Sequence, residues 1–434
     1  MYYFIGIKGT GMAALAIMLK GLGYEVKGSD LNKHFFTEDE LIKNNIEILD
    51  FNPSNIKDNY TVIIGNAFLE DFEEVIVARN NPTCKCYRYH EFVGELIKNY
   101  ISISIAGSHG KTTTTTLAKT VLSKFKKTAY LIGDGEGYLN KDSEYICLES
   151  DEFRNHFLAY YPNFAIITNI EIDHVDFFKD EEEYFEAYQK FVNNVQKAVF
   201  YYGEDEYCQR LQFGNKEHYS FGIKSNNDYY TENLVEDNKG TSFDLMYKGQ
   251  KLAHYDLPLV GHHLLIDALG VIALSDYLGF DHKAINDALN EYRGPKRRYV
   301  IEEYKNCIFI DDYAHHPTEV KVTLEATRLR YPESKIVAIF KPHRASRVLH
   351  FANDFKDALL LADKVYLLDF TSIDDKQDGT NIDINYLAKM IDGSIVLEES
   401  KQGAEILAKE GQAVYVFMSS KDIYNIANWT KEYL

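Results

Sequence analysis

The chain is short of positive charge: 47 Lys and Arg stand against 66 Asp and Glu, for a formal net charge of -19. Such a surface repels a nucleic-acid backbone and anionic lipid alike, so neither is expected as a partner. Small anions are still admitted, because a glycine loop and one lysine act locally. Cysteine is scarce as well. Cys84, Cys86, Cys147, Cys208 and Cys307 are odd in number and scattered, which is no disulfide framework and fits a reducing cytoplasm. Cys84 and Cys86 have no second pair at ligand spacing, so plain thiols rather than a metal site are expected there. No apolar run approaches ~20 residues. Met1 leads straight into strand-like YYFIGI without a signal-peptide pattern, so a soluble chain is expected. Internal repeats and low-complexity tracts are lacking, apart from the threonines that follow Lys111.

What is present is ordinary soluble-globular material, 45% hydrophobic and 26% charged, spread over 434 residues. That length exceeds one ordinary core and points to three α/β domains, placed here at residues 1–98, 99–295 and 296–434. The stretch ISISIAGSHGKTTTTTL organises the rest. Ile101, Ile103 and Ile105 alternate with serines, which is strand periodicity; Gly107, Ser108, His109 and Gly110 break it, and a helix starts at Lys111. This order suits phosphate: glycines let backbone N–H groups point inward, and the positive end of the helix faces the anion. Lys111 reaches terminal phosphates, and Thr112, followed by Thr113, offers a hydroxyl to Mg2+. The loop is a shortened P-loop, since Ile105 stands where the full pattern has glycine.

In chain order, YYFIGI, a turn at Gly9 and Gly11, an apolar helix and YEVKGSD open a doubly wound sheet. A nucleotide or diphosphate is expected at that first turn, although Gly6-x-x-Gly9-x-Gly11 departs from GxGxxG and Lys8 replaces a small residue. TVIIGNAF adds a strand with Asn66 at its exit. Beyond the phosphate loop, YICLE ends in an acidic cluster where Glu149 or Glu152 is placed to hold Mg2+, and NFAIITNIEIDH empties into Asn169, Glu171, Asp173 and His174. The stretch up to Pro258 reads as antiparallel ribbons added to a mainly parallel sheet. A helix follows with His262 and His263 at its start, where the helix dipole favours a neutral ring. RGPKRRY is a hinge whose Lys296, Arg297 and Arg298 can meet ATP. A second open α/β sheet closes the chain, with Asp311, Asp312, Tyr313, His315 and His316 its densest polar cluster. Arg344 and Arg347 are expected to face one way from a helix start, as a fork for carboxylate or phosphate, and KQDG further on reads as loop.

GIKGTGM with GSD, GSHGKTTTT, TNIEIDH, GPKRR, DDYAHHPTEV and KPHRASR stand in this order from near residue 5 to near 347, and together they resemble the Mur ligase family. The resemblance spans all three segments, with DDYAHHPTEV its most specific piece. It implies a UDP-binding Rossmann-like domain, a central P-loop ATPase-type domain with added antiparallel strands, and a C-terminal Rossmann-like domain that brings the amino acid. The implied reaction uses ATP and Mg2+ to activate the acid of UDP-N-acetylmuramate as an acyl phosphate, which the amine of L-alanine attacks, in the cytoplasm and by a monomer or weak homodimer. Catalytic roles fall by motif on Lys111, His174, Arg344 and Arg347, and metal roles on Thr112, Glu149 and His174. ATP contacts fall on Gly107, Ser108, His109, Gly110, Lys111, Thr112, Thr113, His263, Arg297, Asp312, Tyr313 and His315. UDP contacts fall on Gly9, Thr10, Gly11, Met12, Ser29, Asp30 and Asn66. The chain departs from the family at Leu264 and Asp267, where asparagines usually read adenine, at Ser419, Ser420 and Lys421 in place of a glycine-rich turn, and at Lys341. A peptide, glycine or serine acceptor, and a non-catalytic nucleotide-binding scaffold, are the competing expectations.

Overall fold

The computed structural model describes residues 1–371, 375 and 379–434, so most of the KQDG segment lies outside the described residues. Three sheets follow one another along the chain. The first comprises β1 (Tyr2–Ile5), β2 (Val26–Asp30), β3 (Glu47–Asp50), β4 (Thr61–Ile64) and β5 (Lys85–Arg88), all parallel in the order β3-β2-β1-β4-β5. β1 and β4 are buried on both faces, as parallel strands between helices must be. The edge strands β3 and β5 have no fully buried residue, carry no apolar run, and so escape sequence reading.

The second sheet has ten strands: β6 (Ile101–Ala106), β7 (Thr128–Leu131), β8 (Gly137–Tyr138), β9 (Tyr145–Glu149), β10 (Phe164–Ile167), β11 (Ala198–Tyr202), β12 (Glu217–Phe221), β13 (Tyr229–Glu236), β14 (Thr241–Tyr247) and β15 (Gln250–Leu257). Their order is β15-β14-β13-β12-β11-β10-β6-β9-β7-β8. The phosphate-loop strand β6 sits in the interior, paired in parallel with β9 and β10, while β13, β14 and β15 form the expected antiparallel ribbon at one edge. The first domain docks on this sheet through a shared apolar cluster that runs from Phe4 and Leu15 to Phe157 and Tyr188. Gly137 permits the contact, since a Cβ there would lie 2.4 Å from the Ala14 carbonyl oxygen.

The third sheet, β16 (Val300–Tyr304), β17 (Cys307–Asp312), β18 (Ile336–Phe340), β19 (Lys364–Leu368), β20 (Ile395–Leu397) and β21 (Val414–Met418), has the order β16-β17-β21-β18-β19-β20. All pairings are parallel except β16 with β17. β16 was not expected from the sequence. Its VIEEY residues are largely exposed, so no burial pattern marks it, and only the pairing along β17 makes it a strand. Glu149, Asp312 and the phosphate loop fall at or just beyond the carboxyl ends of parallel strands, where an open α/β sheet leaves its crevice.

Candidate active site

β6 is buried along almost its whole length, and the chain leaves it through Gly107 (φ +146°) into the helix Lys111–Phe125. Both loop glycines are required. A Cβ at Gly107 would lie 1.9 Å from the Thr168 hydroxyl, and one at Gly110 (φ +80°) 2.5 Å from Asp267. Gly110 caps the helix without a side-chain hydrogen bond, so the first-turn N–H groups are left for a ligand. The exit of β10 braces the loop from outside. Asn169 accepts from the His109 N–H at 2.9 Å, Thr168 donates to the His109 carbonyl at 2.5 Å, and the Ser108 hydroxyl donates to the Glu171 carbonyl at 2.6 Å. The later threonines are structural: Thr115 and Thr116 each donate to a carbonyl one turn back.

The two carboxylates that the sequence could not separate take different partners. Glu149 accepts from the Thr112 hydroxyl at 2.8 Å and from the Gly133 N–H at 3.0 Å; burial raises its pKa, with Lys111 opposing. Glu152, 1% exposed, pairs with the Lys111 ammonium at 2.9 Å and lies 3.6 Å from His174. Burial works against the charge on Lys111, but Glu152, Asp151 and Glu149 outweigh it and raise its pKa. His174 holds a left-handed backbone (φ 53°), and among the described residues its buried Nδ1 has no hydrogen-bond partner. Asp151, Glu152 and His174 bring one potential ligand atom each within 4.8 Å of one another.

The C-terminal domain closes on this centre with charged contacts. Arg347 donates to Asp173 from Nε at 3.0 Å and Nη2 at 2.7 Å, both residues being buried, and Arg344 pairs with Asp176. The expectation of a single fork is therefore corrected. Arg344 is the N-cap residue of the helix Ala345–His350 with φ 65°, and the two guanidinium groups take separate carboxylates of the central domain. Thr318 donates to Glu171 at 2.7 Å, and His109 sits between Glu171 at 3.1 Å and Glu319 at 3.6 Å. Burial disfavours the imidazolium of His109, but the two carboxylates prevail and push it up to about 9; Glu171, despite its own burial, is held at about 2 by His109.

These shifts set a pH window. The raised His109 contributes fully below its unfolded value of 6.5 and is lost as pH rises through about 9, while the depressed Glu171 contributes above 4.5 and is lost as pH falls towards about 2. The latch between loop and C-terminal domain is thus strongest from pH 4.5 to 6.5. Amide-exchange protection of residues 105–112 in the ligand-free chain is expected to decline between pH 6.5 and 9 once corrected for intrinsic exchange. Protection that stays level across that range would contradict the assignment.

A cleft of about 1150 Å³ opens between the central and C-terminal domains, lined by His109, Gly110, Thr113, His263, Asp267, Arg298 and Asp312. Burial lowers His263 to about 4, so its ring is neutral as its place at a helix start suggested. Burial also pushes Asp267 up to about 8. Arg298 lines this cleft; the sequence-favoured Arg297 does not, because its Nη2 donates to the carbonyls of Ser419 and Lys421 at 2.9 Å and clamps that turn. Asp312 lines the cleft, but its oxygens accept from the Tyr299 and Ala314 N–H groups at 2.7 Å, and burial lifts it to about 6. Tyr313 and His315 stand outside the lining: Tyr313 packs on Arg298, and His315 bonds the Tyr313 carbonyl and Glu319.

In the first domain Gly9 caps the helix Thr10–Gly21 without a side-chain bond, leaving Thr10 and Gly11 at a partly exposed turn with the Tyr89 hydroxyl behind Gly11. Three residues expected at a ligand are buried instead. Met12 is core, Ser29 is fully buried with its hydroxyl on Glu74, and Asp30 accepts from the Lys8 N–H at 2.7 Å and the Leu31 N–H at 2.8 Å. Lys8 folds the loop after β2, donating to the carbonyls of Leu31 and Lys33 and pairing with Glu38. Asn66 contacts His90 and His156, which stack 4.5 Å apart at the boundary with the central domain.

Comparison with known proteins agrees with this layout. Family models match in chain order: the Mur ligase family catalytic domain over residues 1–101, the Mur ligase middle domain over 105–275 and the Mur ligase glutamate ligase domain over 296–425. The chain is 40% identical to the UDP-N-acetylmuramate--L-alanine ligase of Lactococcus lactis subsp. cremoris (strain SK11), covering 98% of this chain and 96% of that one. The enzyme of the same name from Lacticaseibacillus casei (strain BL23) is 40% identical over 97% of this chain and 96% of its own. Among solved structures, the UDP-N-acetylmuramate-alanine ligase of Thermotoga maritima superposes with a TM-score of 0.81 at 27% identity, covering 100% of this chain and 98% of that chain.

Proposed function

Since the chain belongs to the Mur ligase family, we propose that it is the ATP-dependent ligase that joins L-alanine to UDP-N-acetylmuramate, releasing ADP and phosphate. The observation that carries this is the junction of the domains at one centre. The phosphate loop with Lys111, the Glu149–Thr112 pair and His174 face the arginines of the C-terminal domain, and the first domain's glycine turn is docked alongside. Among the described residues no helix is long and apolar enough to cross a membrane, in keeping with soluble substrates.

The loop N–H groups and Lys111 hold the triphosphate, with Lys111 exchanging Glu152 for phosphate oxygens as ATP enters. A lactyl carboxylate oxygen then attacks the γ-phosphorus, ADP departs, and the alanine amine adds to the acyl carbon before phosphate leaves and the nitrogen loses a proton. Positioning and charge neutralisation carry most of this rate. Arg347 and Arg344 are placed to exchange Asp173 and Asp176 for the amino-acid carboxylate and the transferred phosphoryl group. The donors fit Mg2+. Thr112 and Glu149 offer paired hard oxygens, and Asp151, Glu152 and His174, whose potential ligand atoms lie within 4.8 Å of one another, suit a second divalent ion. When bound, such ions shield phosphate charge.

Phosphate release measured with UDP-N-acetylmuramate, ATP and Mg2+ is expected to depend on L-alanine. Release with glycine, serine or a peptide alone would move the assignment to another acceptor within the family. No release with any acceptor would favour the scaffold.

A further inference from the structure

Residues 151–156 leave the end of β9 just past the acid that faces Thr112, and they lie where all three domains meet. The Phe153 ring is 4.7 Å from the His174 ring and 5.4 Å from the Arg344 guanidinium of the C-terminal domain; His156 touches Asn66 of the first domain. Arg154 and Asn155 both hold left-handed backbone, φ 51° and 61°, a conformation that side-chain-bearing residues adopt at a penalty. Arg154 is exposed, lies 5.2 Å from the Phe153 ring and has no ion-pair partner among the described residues. Its cationic neighbours differ: Lys111, Arg344 and Arg347 each have a carboxylate already. An exposed guanidinium without a carboxylate of its own, carried by consecutive left-handed residues at a three-domain junction, is available to an anionic ligand.

We propose that Arg154 binds the lactyl carboxylate of UDP-N-acetylmuramate and holds it towards the phosphate loop. The proposal rests on the substrate reading above and deepens it. A carboxylate is favoured over the diphosphate because Arg154 is two residues from Glu152, the partner of Lys111, and shares the Phe153 ring with Arg344, whereas the helix N-terminus at Gly9 offers its own N–H groups to a diphosphate. A planar guanidinium matches the two carboxylate oxygens.

The test measures calorimetric binding of UDP-N-acetylmuramate, and of UDP-N-acetylglucosamine, which lacks the lactyl acid, to the full chain and to its Arg154→Gln and Arg154→Gly variants. UDP-N-acetylmuramate is expected to bind each variant about ten- to a hundredfold more weakly, the loss of one charge-assisted contact. UDP-N-acetylglucosamine binding and the KM for ATP are expected to be unchanged. Glycine relieves the left-handed strain, so Arg154→Gly is expected to melt no lower than the parent while binding more weakly, an outcome that a purely structural arginine does not give. Equal losses for both sugar nucleotides would place Arg154 on the diphosphate and overturn the carboxylate contact. Unchanged binding of both would remove Arg154 from the substrate altogether. A parent chain that binds neither overturns the substrate reading as well.

Discussion

Replacing Lys111 with alanine is expected to lower turnover by about a thousandfold or more, because it removes the one ammonium the phosphate loop aims at transferring charge. The same change leaves Glu152, 1% exposed, without its cation. Breaking a buried pair in this way costs about 3–5 kcal/mol, less where the stranded acid can take up a proton, so the single variant is expected to melt several degrees lower while staying folded. The two effects separate in the double variant Lys111→Ala with Glu152→Gln. Its melting temperature should recover, because no bare carboxylate remains, and its turnover should not. Near-normal phosphate release by the single variant, or recovery of activity in the double one, would exclude the phosphate site.

The second large effect is expected at Arg347. Its guanidinium gives two hydrogen bonds to Asp173 across the boundary between central and C-terminal domains, and the charges hold the Asp173 carboxyl well below the usual range despite its burial. Arg347→Ala strands that acid, again on the order of 3–5 kcal/mol, and the loss falls on domain closure because the partners belong to different domains. Turnover is expected to fall about a hundredfold or more, with a raised KM for alanine and a larger radius of gyration in solution scattering. Arg347→Lys is expected to recover only part, since a point charge cannot reproduce the two bonds. A variant with the parent's radius and alanine KM would show that this pair neither closes the molecule nor meets the amino acid.

Much of the site was legible because its parts are local. A glycine turn between a strand and a helix needs only consecutive residues, so Gly107 to Thr113 could be read directly, as could the neutral state of His263 at a helix start. Edge strands β3, β5 and β16 were hidden, since a half-exposed strand has no apolar rhythm and exists only through its neighbour. Which of two adjacent arginines faces the cleft was equally out of reach. Arg297 turns to the carbonyls of Ser419 and Lys421 and Arg298 to the cleft, a choice made by residues more than a hundred positions away.

Ser29, Asp30 and Asp312 carry the same lesson. Each sits where a strand ends beside the crevice, yet each spends its polar atoms on its own protein: Ser29 on Glu74, Asp30 on Lys8 and Leu31, Asp312 on Tyr299 and Ala314. The amino-acid order alone determined the succession of three α/β units, the phosphate loop and the acids and arginines around it, because backbone conformation and hydrophobic period are set by near neighbours. Tertiary structure decided which acid meets which cation, that Glu149 faces Thr112 while Glu152 faces Lys111, and that Arg344 and Arg347 part company. Charge pairing and desolvation depend on distances between chain-distant groups, and only the packed domains fix those distances.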